Sequence, residues 1–305
     1  MENNIRVEKS VKIDKVSRRN RIIAKVIVYI FLVLFAVIIL IPFYWMILTA
    51  VKNMQDLTVT PPILFLPFDR WRLDNFTSAL NAAPYLIFMR NTVIVSFLST
   101  VGTIFTTIFA AFAFSRLNFK GRDTLFMILL SSMMIPGEMF VITNFITVSD
   151  LGWLGSNNVS QTYGDALKAL SLPFMTSIFY IFFLRQTFRQ IPNELYYAAK
   201  VDGTSDFKYL WRIMVPIAKP TIITIIILNA MGTWNAYIWP NLVTDNVNFR
   251  LVTNGLRTAY NQLSGQVIYN EQMAAALIVT FPLLIVFFLL KKYIMRGVSR
   301  SGIKG

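Results

Sequence analysis

The stretch that decides the fold is polar and helix-forming, and it lies between two apolar runs. From residue 192 to residue 216 it reads PNELYYAAKVDGTSDFKYLWRIMVP. Pro192 and Asn193 predict a helix start at which the Asn193 side chain accepts a hydrogen bond from a free backbone N–H. Glu194 falls in the first turn, where the helix dipole favours a carboxylate. Gly203 can take a positive φ, so we expect the helix to end there.

A second short helix is predicted after this glycine. Thr204 and Ser205 are good N-terminal capping residues, and Pro216 is expected to terminate the helix. The whole segment therefore predicts two short helical arms that stand out of the membrane, and we call it the knob. Ala198 and Ala199 end its first arm, and their small side chains allow another protein to approach closely. We interpret the knob as a docking element.

The rest of the chain is strongly apolar. Apolar residues make up 55% of the 305 residues, the mean hydropathy is +0.57, and only 14% of the residues are charged. About 20 mostly apolar residues cross a bilayer as a helix, so the long apolar runs predict six transmembrane helices. These runs are residues 26–51, 91–115, 124–148 (interrupted by Glu138), 169–184, 220–244 and 272–290.

Lysine and arginine are concentrated in alternate connecting segments. The two termini and the segments after the second and fourth runs hold 22 of the 29 basic residues but only 7 of the 15 acidic ones. The positive-inside rule then places both termini and the knob in the cytoplasm. The basic N-terminal tail, residues 1–25, is expected to lie along anionic lipid headgroups. Topology accounts for the positive charge, so no nucleic-acid binding is predicted.

The residue types that the chain lacks exclude several kinds of catalytic and metal-binding site. The chain contains no cysteine and no histidine, which excludes thiol nucleophiles, imidazole bases and Cys/His metal sites. No lysine or aspartate lies in a predicted span, where a Ser–Lys or Asp–Asp membrane hydrolase would need one. The glycine-containing C-terminal tail lacks the residue order of a phosphate-binding loop. We therefore predict no catalytic site, no metal site and no cofactor bound by this chain.

The knob resembles the signature loop of ABC importer permeases. That family pattern is Glu-Ala-Ala, three residues, Gly, nine residues, Ile, any residue, Leu, Pro. The positions that match it at its spacing are Ala198, Ala199, Gly203, Ile213 and Pro216. Tyr197 replaces the usual Glu and Val215 the usual Leu, and Glu194 is a candidate substitute for the missing carboxylate. The resemblance implies that these residues couple the chain to an ATPase subunit.

Other segments resemble the carbohydrate branch of this family, and in particular its maltose-type permeases. They are Asn91-Thr92-Val93, residues 111–116, residues 134–138, residues 232–235, Trp239-Pro240 and the C-terminal tail. The resemblance implies an all-α, polytopic type I importer fold of six transmembrane helices, with a cytoplasmic coupling helix between spans four and five. The implied organisation is a tail (1–25), a first transmembrane helix (26–51), a five-span domain (87–291) and a second cytoplasmic tail (292–305).

The resemblance also implies partners. These are a homologous permease, a dimer of ATPase subunits that holds ATP and Mg, and an extracytoplasmic protein that binds a sugar or oligosaccharide. The outer segment 245–271 corresponds to a loop that reaches into the binding protein. Gly302, Lys304 and Gly305 correspond to a tail that enters the seam between the ATPases. The expected location is a bacterial plasma membrane.

Four residues inside the predicted spans are candidates for the translocation path. Glu138 follows Pro136, which is expected to kink the third span, and its carboxylate can accept hydrogen bonds from sugar hydroxyls. Trp234, Asn235 and Tyr237 lie midway along the fifth span and offer stacking and hydrogen bonding. The alternatives are a wet or partner-paired Glu138 at the outer end of its helix, and helix–helix packing for the other three.

Two other functions stay open. The chain can be an importer permease for another solute, such as a peptide or a metal chelate, because the binding protein usually sets the specificity. It can also be a stand-alone secondary transporter, although neither inverted repeats nor ion-coupling charges are visible within the spans. An intramembrane enzyme ranks third.

Overall fold

The computed structural model describes residues 2–155, 160–244, 246–262 and 268–299. Over these residues every regular element is helical, which confirms the all-α prediction. The helices are α1 (Glu2–Ala50), α2 (Met54–Leu57), α3 (Asp74–Ala82), α4 (Tyr85–Arg116), α5 (Arg122–Ser132), α6 (Phe140–Asp150), α7 (Tyr163–Ser171), α8 (Ile178–Arg189), α9 (Asn193–Val201), α10 (Asp206–Tyr209), α11 (Val215–Ile217), α12 (Lys219–Trp234), α13 (Ile238–Val243), α14 (Val252–Gln262) and α15 (Tyr269–Ser299). Short 3-10 helices lie at Phe68–Arg70, Gly137–Met139, Leu172–Phe174 and Val247–Phe249, and Leu210–Met214 is π-helical.

Membrane spans are of two kinds. Three straight helices are long and apolar enough to cross a bilayer, namely Ile22–Ala50, Tyr85–Arg116 and Tyr269–Leu289. Three further helix pairs pass the same test together but bend at a short break, by 83° between α5 and α6, 51° between α7 and α8, and 78° at the start of α12. Counting each bent pair as one span gives the six that the sequence predicts.

The third span breaks at Pro136. The proline is the N-terminal cap of the 3-10 turn Gly137–Met139, which leads into α6. Because proline has no backbone N–H and disfavours a helical residue before it, α5 ends four residues earlier. The predicted kink is therefore a full interruption of 83°, and Glu138 lies in the turn rather than within a helix.

The fourth span, predicted as one helix, is also interrupted. Pro173 lies in the first positions of the 3-10 turn Leu172–Phe174, and the Ser177 hydroxyl caps α8 by accepting from the Tyr180 amide at 3.4 Å. Proline at this position removes a helical hydrogen bond, and a serine cap restarts the helix a few residues later. Pro173 and Ser177 are both visible in the sequence, but they lie within a long apolar run that by itself predicts one continuous helix.

Helix α4 stabilises this break from the side. The Thr103 hydroxyl donates to the Phe174 carbonyl at 3.1 Å, and the Thr106 hydroxyl donates to the Met175 carbonyl at 2.7 Å. A Cβ at Gly102 would lie 2.5 Å from the Met175 side chain, so only glycine permits this close approach. The two carbonyls freed by the bend are therefore satisfied by α4.

The fifth span, predicted as one transmembrane helix, is not continuous either, and it breaks where Trp234, Asn235 and Tyr237 lie. Helix α12 ends at Trp234, and α13 begins three residues beyond Asn235. The Asn235 side chain turns back to donate to the Met231 carbonyl at 2.9 Å. Pro240 lacks the N–H that a continuous helix would need, which explains why helical bonding stops here.

The chain divides into two compact units. The first comprises residues 1–76 and 268–277. In it, the buried Lys52 donates from Nζ to the Ile63 carbonyl at 2.6 Å, and the Asn75 amide donates to the carbonyls of Ala50 at 2.8 Å and Lys52 at 2.9 Å. These bonds close the C-terminal end of α1. The apolar side chains of α1 between residues 22 and 41 remain exposed, as expected for a surface in contact with lipid or another protein.

The second unit comprises residues 77–267 and 278–305. Helix α4 lies at its centre, packed along α8 and α12. The buried face of α4 is unusually polar near its middle, with Ser99, Thr100 and Thr103 buried, and apolar toward its C-terminal end. There it contributes to a core cluster built from Ile108, Ala111, Phe112, Leu184, Phe188, Met214, Ile222 and Ile225. This core carries the knob.

Candidate functional site

The first arm of the knob is α9, and it ends as predicted at Gly203. The glycine has φ +69° and donates its amide to the Lys200 carbonyl at 3.0 Å. The Thr204 amide donates to the Ala199 carbonyl at 2.8 Å. This pair of bonds is the Schellman ending of a helix, which requires a residue with positive φ at its centre. A Cβ at Gly203 would meet no atom within 4 Å, so backbone conformation alone demands glycine here.

The second arm begins as predicted and ends differently. The Ser205 hydroxyl caps α10 by accepting from the Lys208 amide at 3.3 Å. The arm continues through the π-helical segment and α11 to Ile217, one residue past Pro216. The prediction that Pro216 terminates the helix is therefore wrong. The proline has no N–H for the carbonyl four residues back, and the wider π-helical turn accommodates that loss.

A polar cluster ties the two arms together. The Tyr196 hydroxyl donates to the Asp206 carboxylate at 2.8 Å, and the Lys200 ammonium pairs with the same carboxylate at 2.8 Å. The Lys200 hydrogen bond is the largest of the effects that hold the pKa of Asp206 below its usual value, and the same bond raises the pKa of Lys200. Both groups therefore stay charged across the physiological range. The Tyr196 ring also meets the Tyr209 ring edge-on at 5.1 Å.

One face of the knob is buried in the chain's own core. Ala199 is only 7% exposed and packs in the same cluster as Tyr209, Leu210 and Met214. The expectation that Ala199 lies at a contact with another protein is thus wrong for its side chain, which anchors the knob instead. Ile213 packs against the same cluster. The reason is helical periodicity, since adjacent residues of α9 lie about 100° apart and face different surroundings.

Outside this buried face the knob is exposed, and it presents large apolar side chains alongside charged ones such as Lys200, Asp202, Lys208 and Arg212. Its exposed residues include Glu194, Leu195, Tyr197, Ala198, Val201, Gly203, Phe207 and Pro216. Tyr197 and Phe207 are each 63% exposed, and Val201 is 88% exposed. Large apolar side chains gathered on a loop mark a protein–protein contact surface. Of the predicted coupling residues, Glu194, Tyr197, Ala198, Gly203 and Pro216 reach this surface.

Arg116, at the end of α4, fastens the knob to the spans. Its guanidinium donates to the Phe188 carbonyl at 2.8 Å and to the Ile191 carbonyl at 2.5 Å, and it also donates to the Asn193 side chain. The predicted capping role of Asn193 is therefore wrong, because its side-chain oxygen accepts from Arg116 rather than from the helix. Sequence reasoning assigned no role to Arg116, since its partners lie more than 70 residues away.

A second arginine strengthens this junction. The buried Arg185 of α8 donates from Nε to the Phe114 carbonyl at 3.0 Å, and its guanidinium lies 3.8 Å from the centre of the Phe126 ring. Together with Arg116 it bonds the same ends of α4 and α8 to each other. The junction can transmit a displacement of the knob because charge-assisted hydrogen bonds fix its geometry.

A cavity of about 640 Å³ lies where the three interrupted spans meet. Its walls include the turn at Glu138, residues Phe174 and Tyr180 on either side of the fourth span's break, and Asn235 and Tyr237 from the fifth. Three of the four predicted path residues are thus brought together. Trp234 is not among the lining residues; its carbonyl instead accepts from the Thr253 hydroxyl at 2.7 Å. Phe174 and Tyr180 were missed because their break was not predicted.

The remaining predicted positions fall elsewhere. Gly302, Lys304 and Gly305 lie outside the described residues, so their contact with an ATPase stays a prediction. Within the described residues, no group of three or more acidic side chains is placed to hold a metal ion.

At the N-terminal end of α4, two side chains hold the segment that leads into α14. The Asn91 amide donates to the carbonyls of Asn248 at 2.7 Å and Arg250 at 3.1 Å, and its oxygen accepts from the Tyr163 hydroxyl at 3.0 Å. The Thr92 hydroxyl accepts from the Val252 amide at 2.9 Å. We call this set of bonds the outer clasp. It fixes the base of the predicted binding-protein loop to α4.

Known proteins carry the same architecture. The family described as binding-protein-dependent transport system inner membrane component matches residues 102–300. A probable ABC transporter permease of Bacillus subtilis is 31% identical over 300 residues, covering 98% of this chain and 95% of that protein. The sn-glycerol-3-phosphate transport system permease of Yersinia pestis is 27% identical over 221 residues, covering 72% of this chain and 75% of that protein.

A solved structure agrees at the level of the fold. A chain of a bacterial ABC transporter involved in the import of the acidic polysaccharide alginate has a TM-score of 0.76 at 22% identity, covering 89% of this chain and 96% of that chain. The match of two thirds of the sequence to the family, with a relative above 30% identity over nearly the full length, fixes the membership. This chain belongs to the family of binding-protein-dependent transport system inner membrane components, the ABC transporter permeases.

Proposed function

We propose that this permease is one half of the translocation path of an ATP-driven sugar importer. It pairs with a homologous permease, rests on a dimer of ATPase subunits and receives its sugar from an extracytoplasmic binding protein. The chain itself is non-catalytic and binds no cofactor; ATP and Mg belong to the ATPase subunits.

The observation that carries this proposal is the division of the knob into two faces. Ala199 and Tyr209 root one face in the core of the spans, while Tyr197, Val201 and Phe207 leave an apolar surface exposed on the other. An element that is rigidly attached on one side and apolar on the other is suited to transmit force between two proteins. A stand-alone transporter has no use for such a surface.

Coupling proceeds through contacts within the chain. When the ATPase subunits close, they displace the exposed face of the knob, and Arg116 passes the displacement to α4 and α8. Because α8 begins beside the cavity with Tyr180 in its first turn, the movement reaches the cavity. The hydrolysis of ATP is thereby linked to the alternation of the path between its two openings.

A sugar is the favoured solute for two reasons. The segments around Asn91, Glu138 and Asn235 resemble carbohydrate permeases, and the fold matches that of an importer of a polysaccharide. The cavity contributes aromatic rings and hydrogen-bonding groups, including Tyr180, Asn235 and Tyr237, which are the groups that bind sugars. A permease for another solute is the second candidate, favoured by the sn-glycerol-3-phosphate transport function of one relative.

The orientation follows from the distribution of positive charge, with both termini and the knob in the cytoplasm of a bacterial cell. The basic N-terminal helix contacts anionic headgroups, and Gly302, Lys304 and Gly305 enter the ATPase seam. Cysteines introduced at the exposed Ser78 and Ser205 test the topology in a chain free of other cysteines. Ser78 should label in intact cells and Ser205 only after permeabilisation, and external labelling of Ser205 would contradict the orientation.

Docking is tested at the exposed face of the knob. We expect Ala198→Arg and Val201→Arg to abolish copurification of the ATPase subunits, because a long charged side chain is placed in a close apolar contact. Both positions are exposed in this chain, so the permease itself should fold and insert normally. Asn81→Arg, at an exposed position of the outer segment, adds the same charge far from the knob and serves as the matched control.

The result separates docking from folding. Membrane levels and thermal stability of the two knob variants should equal those of the control, whereas the ATPase should copurify only with the control. If both knob variants retain the ATPase and transport normally, the knob is not the coupling element and the proposed function fails.

A further inference from the structure

The cavity where the three spans break has a composition that points to the charge of its ligand. Its volume of about 640 Å³ falls within the range of small-molecule sites, about 300–1,000 Å³. Interrupted transmembrane helices commonly surround substrate sites, because their free backbone groups and turns line a polar space. Three interrupted spans of one subunit therefore indicate that this subunit contacts the cargo itself.

Among the described residues that line the cavity, Glu138 is the only charged one. Within the described part of the chain its carboxylate makes no ion pair and accepts no side-chain hydrogen bond. Helix ends of both signs reach the cavity, namely the C-terminus of α12 and the N-termini of α6 and α8, so their dipoles oppose one another. The net charge of the cavity is therefore set by Glu138, and it is negative.

The other walls suit a sugar ring. Tyr180, Tyr237 and Trp239 supply aromatic surface, and Asn235 supplies an amide beside them. The Arg257 guanidinium lies 4.9 Å from the centre of the Tyr237 ring, which holds the ring in place through a cation–π contact. Arg257 itself is not among the lining residues, so the Glu138 carboxylate is the charge that a ligand in the cavity meets directly.

We propose that this cavity is a carbohydrate subsite that accepts neutral and cationic sugars and rejects anionic ones, with Glu138 as the selecting group. The inference rests on the proposed function. A carboxylate accepts hydrogen bonds from the hydroxyls of a neutral sugar and pairs with an ammonium group, whereas it repels a carboxylate or a phosphate. The preferred cargo thus differs in charge from the acidic polysaccharide carried by the structurally similar alginate transporter.

The test uses the assembled complex of both permeases and the ATPase subunits in lipid nanodiscs. Three probes of equal length are compared by calorimetry: maltotriose, which is neutral, a chitosan trisaccharide, which is cationic, and an alginate trisaccharide, which is anionic. We expect the first two to bind at least about tenfold more tightly than the third, because like charges a few ångströms apart repel each other by at least that much at the effective dielectric of a protein surface.

Variants test whether the Glu138 carboxylate causes the discrimination against the anionic probe. Glu138→Gln should reduce the discrimination against the alginate trisaccharide to within about twofold and weaken the chitosan trisaccharide, and Glu138→Lys should invert the order. Asp150→Asn is the matched control, since it removes an exposed carboxylate of the same span, at the end of α6, that does not line the cavity. Tyr237→Ala should weaken all three probes equally, because it removes stacking and no charge.

Three outcomes overturn the inference: no probe binds, the alginate trisaccharide binds most tightly, or Glu138→Gln leaves the discrimination unchanged. The last places the selecting charge on the partner permease. In each case, copurification of the ATPase and hydrolysis stimulated by the loaded binding protein report on the proposed function separately. If they persist, the importer stands and only the subsite fails.

Discussion

The knob and the cavity are built from the chain in opposite ways. The knob uses consecutive residues from 192 to 216, and its turn and its second cap follow from residues within that segment. The cavity draws its walls from residues as far apart as Val95 and Leu251. The knob presents apolar residues outward, whereas the cavity is lined by aromatic rings and by the exposed carboxylate of Glu138.

This difference shows which features neighbouring residues can form by themselves and which need residues that are distant in the sequence. A turn such as the one at Gly203 needs only its own neighbours, so any chain with that order of residues can form it. The cavity exists only because residues beside the breaks of three spans come together. The buried face of the knob joins a core cluster that includes Leu184 and Phe188 of α8, and Tyr180 near the other end of α8 lines the cavity, so α8 connects the two regions.

The strongest test of that junction is Ala199→Arg. We expect a loss of about 3–5 kcal/mol of stability, because the guanidinium would be buried without a partner. The variant should disappear from the membrane fraction or melt at a much lower temperature. Its neighbour Ala198→Arg should change stability by no more than about 0.5 kcal/mol, as a surface substitution does. Equal stability of the two variants would mean that the knob is not rooted in the core.

Arg116→Ala tests the link that the sequence did not reveal. It removes hydrogen bonds to Phe188, Ile191 and Asn193, and we expect a loss of about 2–4 kcal/mol. The ATPase should still copurify, but its stimulation by the loaded binding protein should fall. Arg116→Lys should restore part of the lost stability and stimulation, since lysine keeps the positive charge but lacks the several N–H donors of the planar guanidinium. The exposed Arg189→Ala is the control, and a matching loss there would refute a specific role for Arg116.

Asn91→Asp tests the outer clasp. The change keeps the shape but turns two donated hydrogen bonds into repulsion from the carbonyls of Asn248 and Arg250, which should cost about 2–3 kcal/mol. We expect stimulation by the binding protein to drop while ATPase copurification is retained. Asn248→Asp adds the same charge nearby at an exposed side chain that the clasp does not use. Similar losses in both variants would show that charge alone is responsible.

The smallest effect is expected at Gly203. Gly203→Ala should cost about 1–2 kcal/mol, because an L-residue is strained at φ +69° although nothing crowds the new methyl group. Gly121 has φ +79° and equally open surroundings outside the knob, so Gly121→Ala should lose similar stability. Only the Gly203 variant should weaken coupling to the ATPase. A comparable loss of coupling in both variants would show that the turn at Gly203 has no specific role in coupling.

What the sequence allowed us to predict depended on how near the partners lie. The turn at Gly203 and the cap at Ser205 were confirmed because every atom involved is within a few residues. Asn193 was misassigned because its partner, Arg116, is distant along the chain. Ala199 was placed on the wrong surface because a motif gives the order of residues but not the direction in which each one points.

The spans, too, were predictable where the residues that determine a feature lie close together in the sequence. Their number was predictable from apolar length, and the break at Pro136 from a single proline. The break near Pro173 was hidden because the hydroxyls that satisfy it, on Thr103 and Thr106, belong to another helix. Of the cavity, Glu138, Asn235 and Tyr237 were named in advance as unusual residues for a span. Tyr180 and Phe174 were not, since aromatic residues are ordinary in an apolar run.

Helix α8 can act as a rigid lever between the knob and the cavity. Its 12 residues make a rod of about 18 Å, with the cavity at one end and the knob at the other. The bonds from Thr103 and Thr106, with the tight fit at Gly102, make the bend before it a fixed elbow rather than a hinge. A tilt of about 10° at the knob then displaces the far end by about 3 Å. This lever arm is long enough to move Tyr180 by the width of a hydrogen bond.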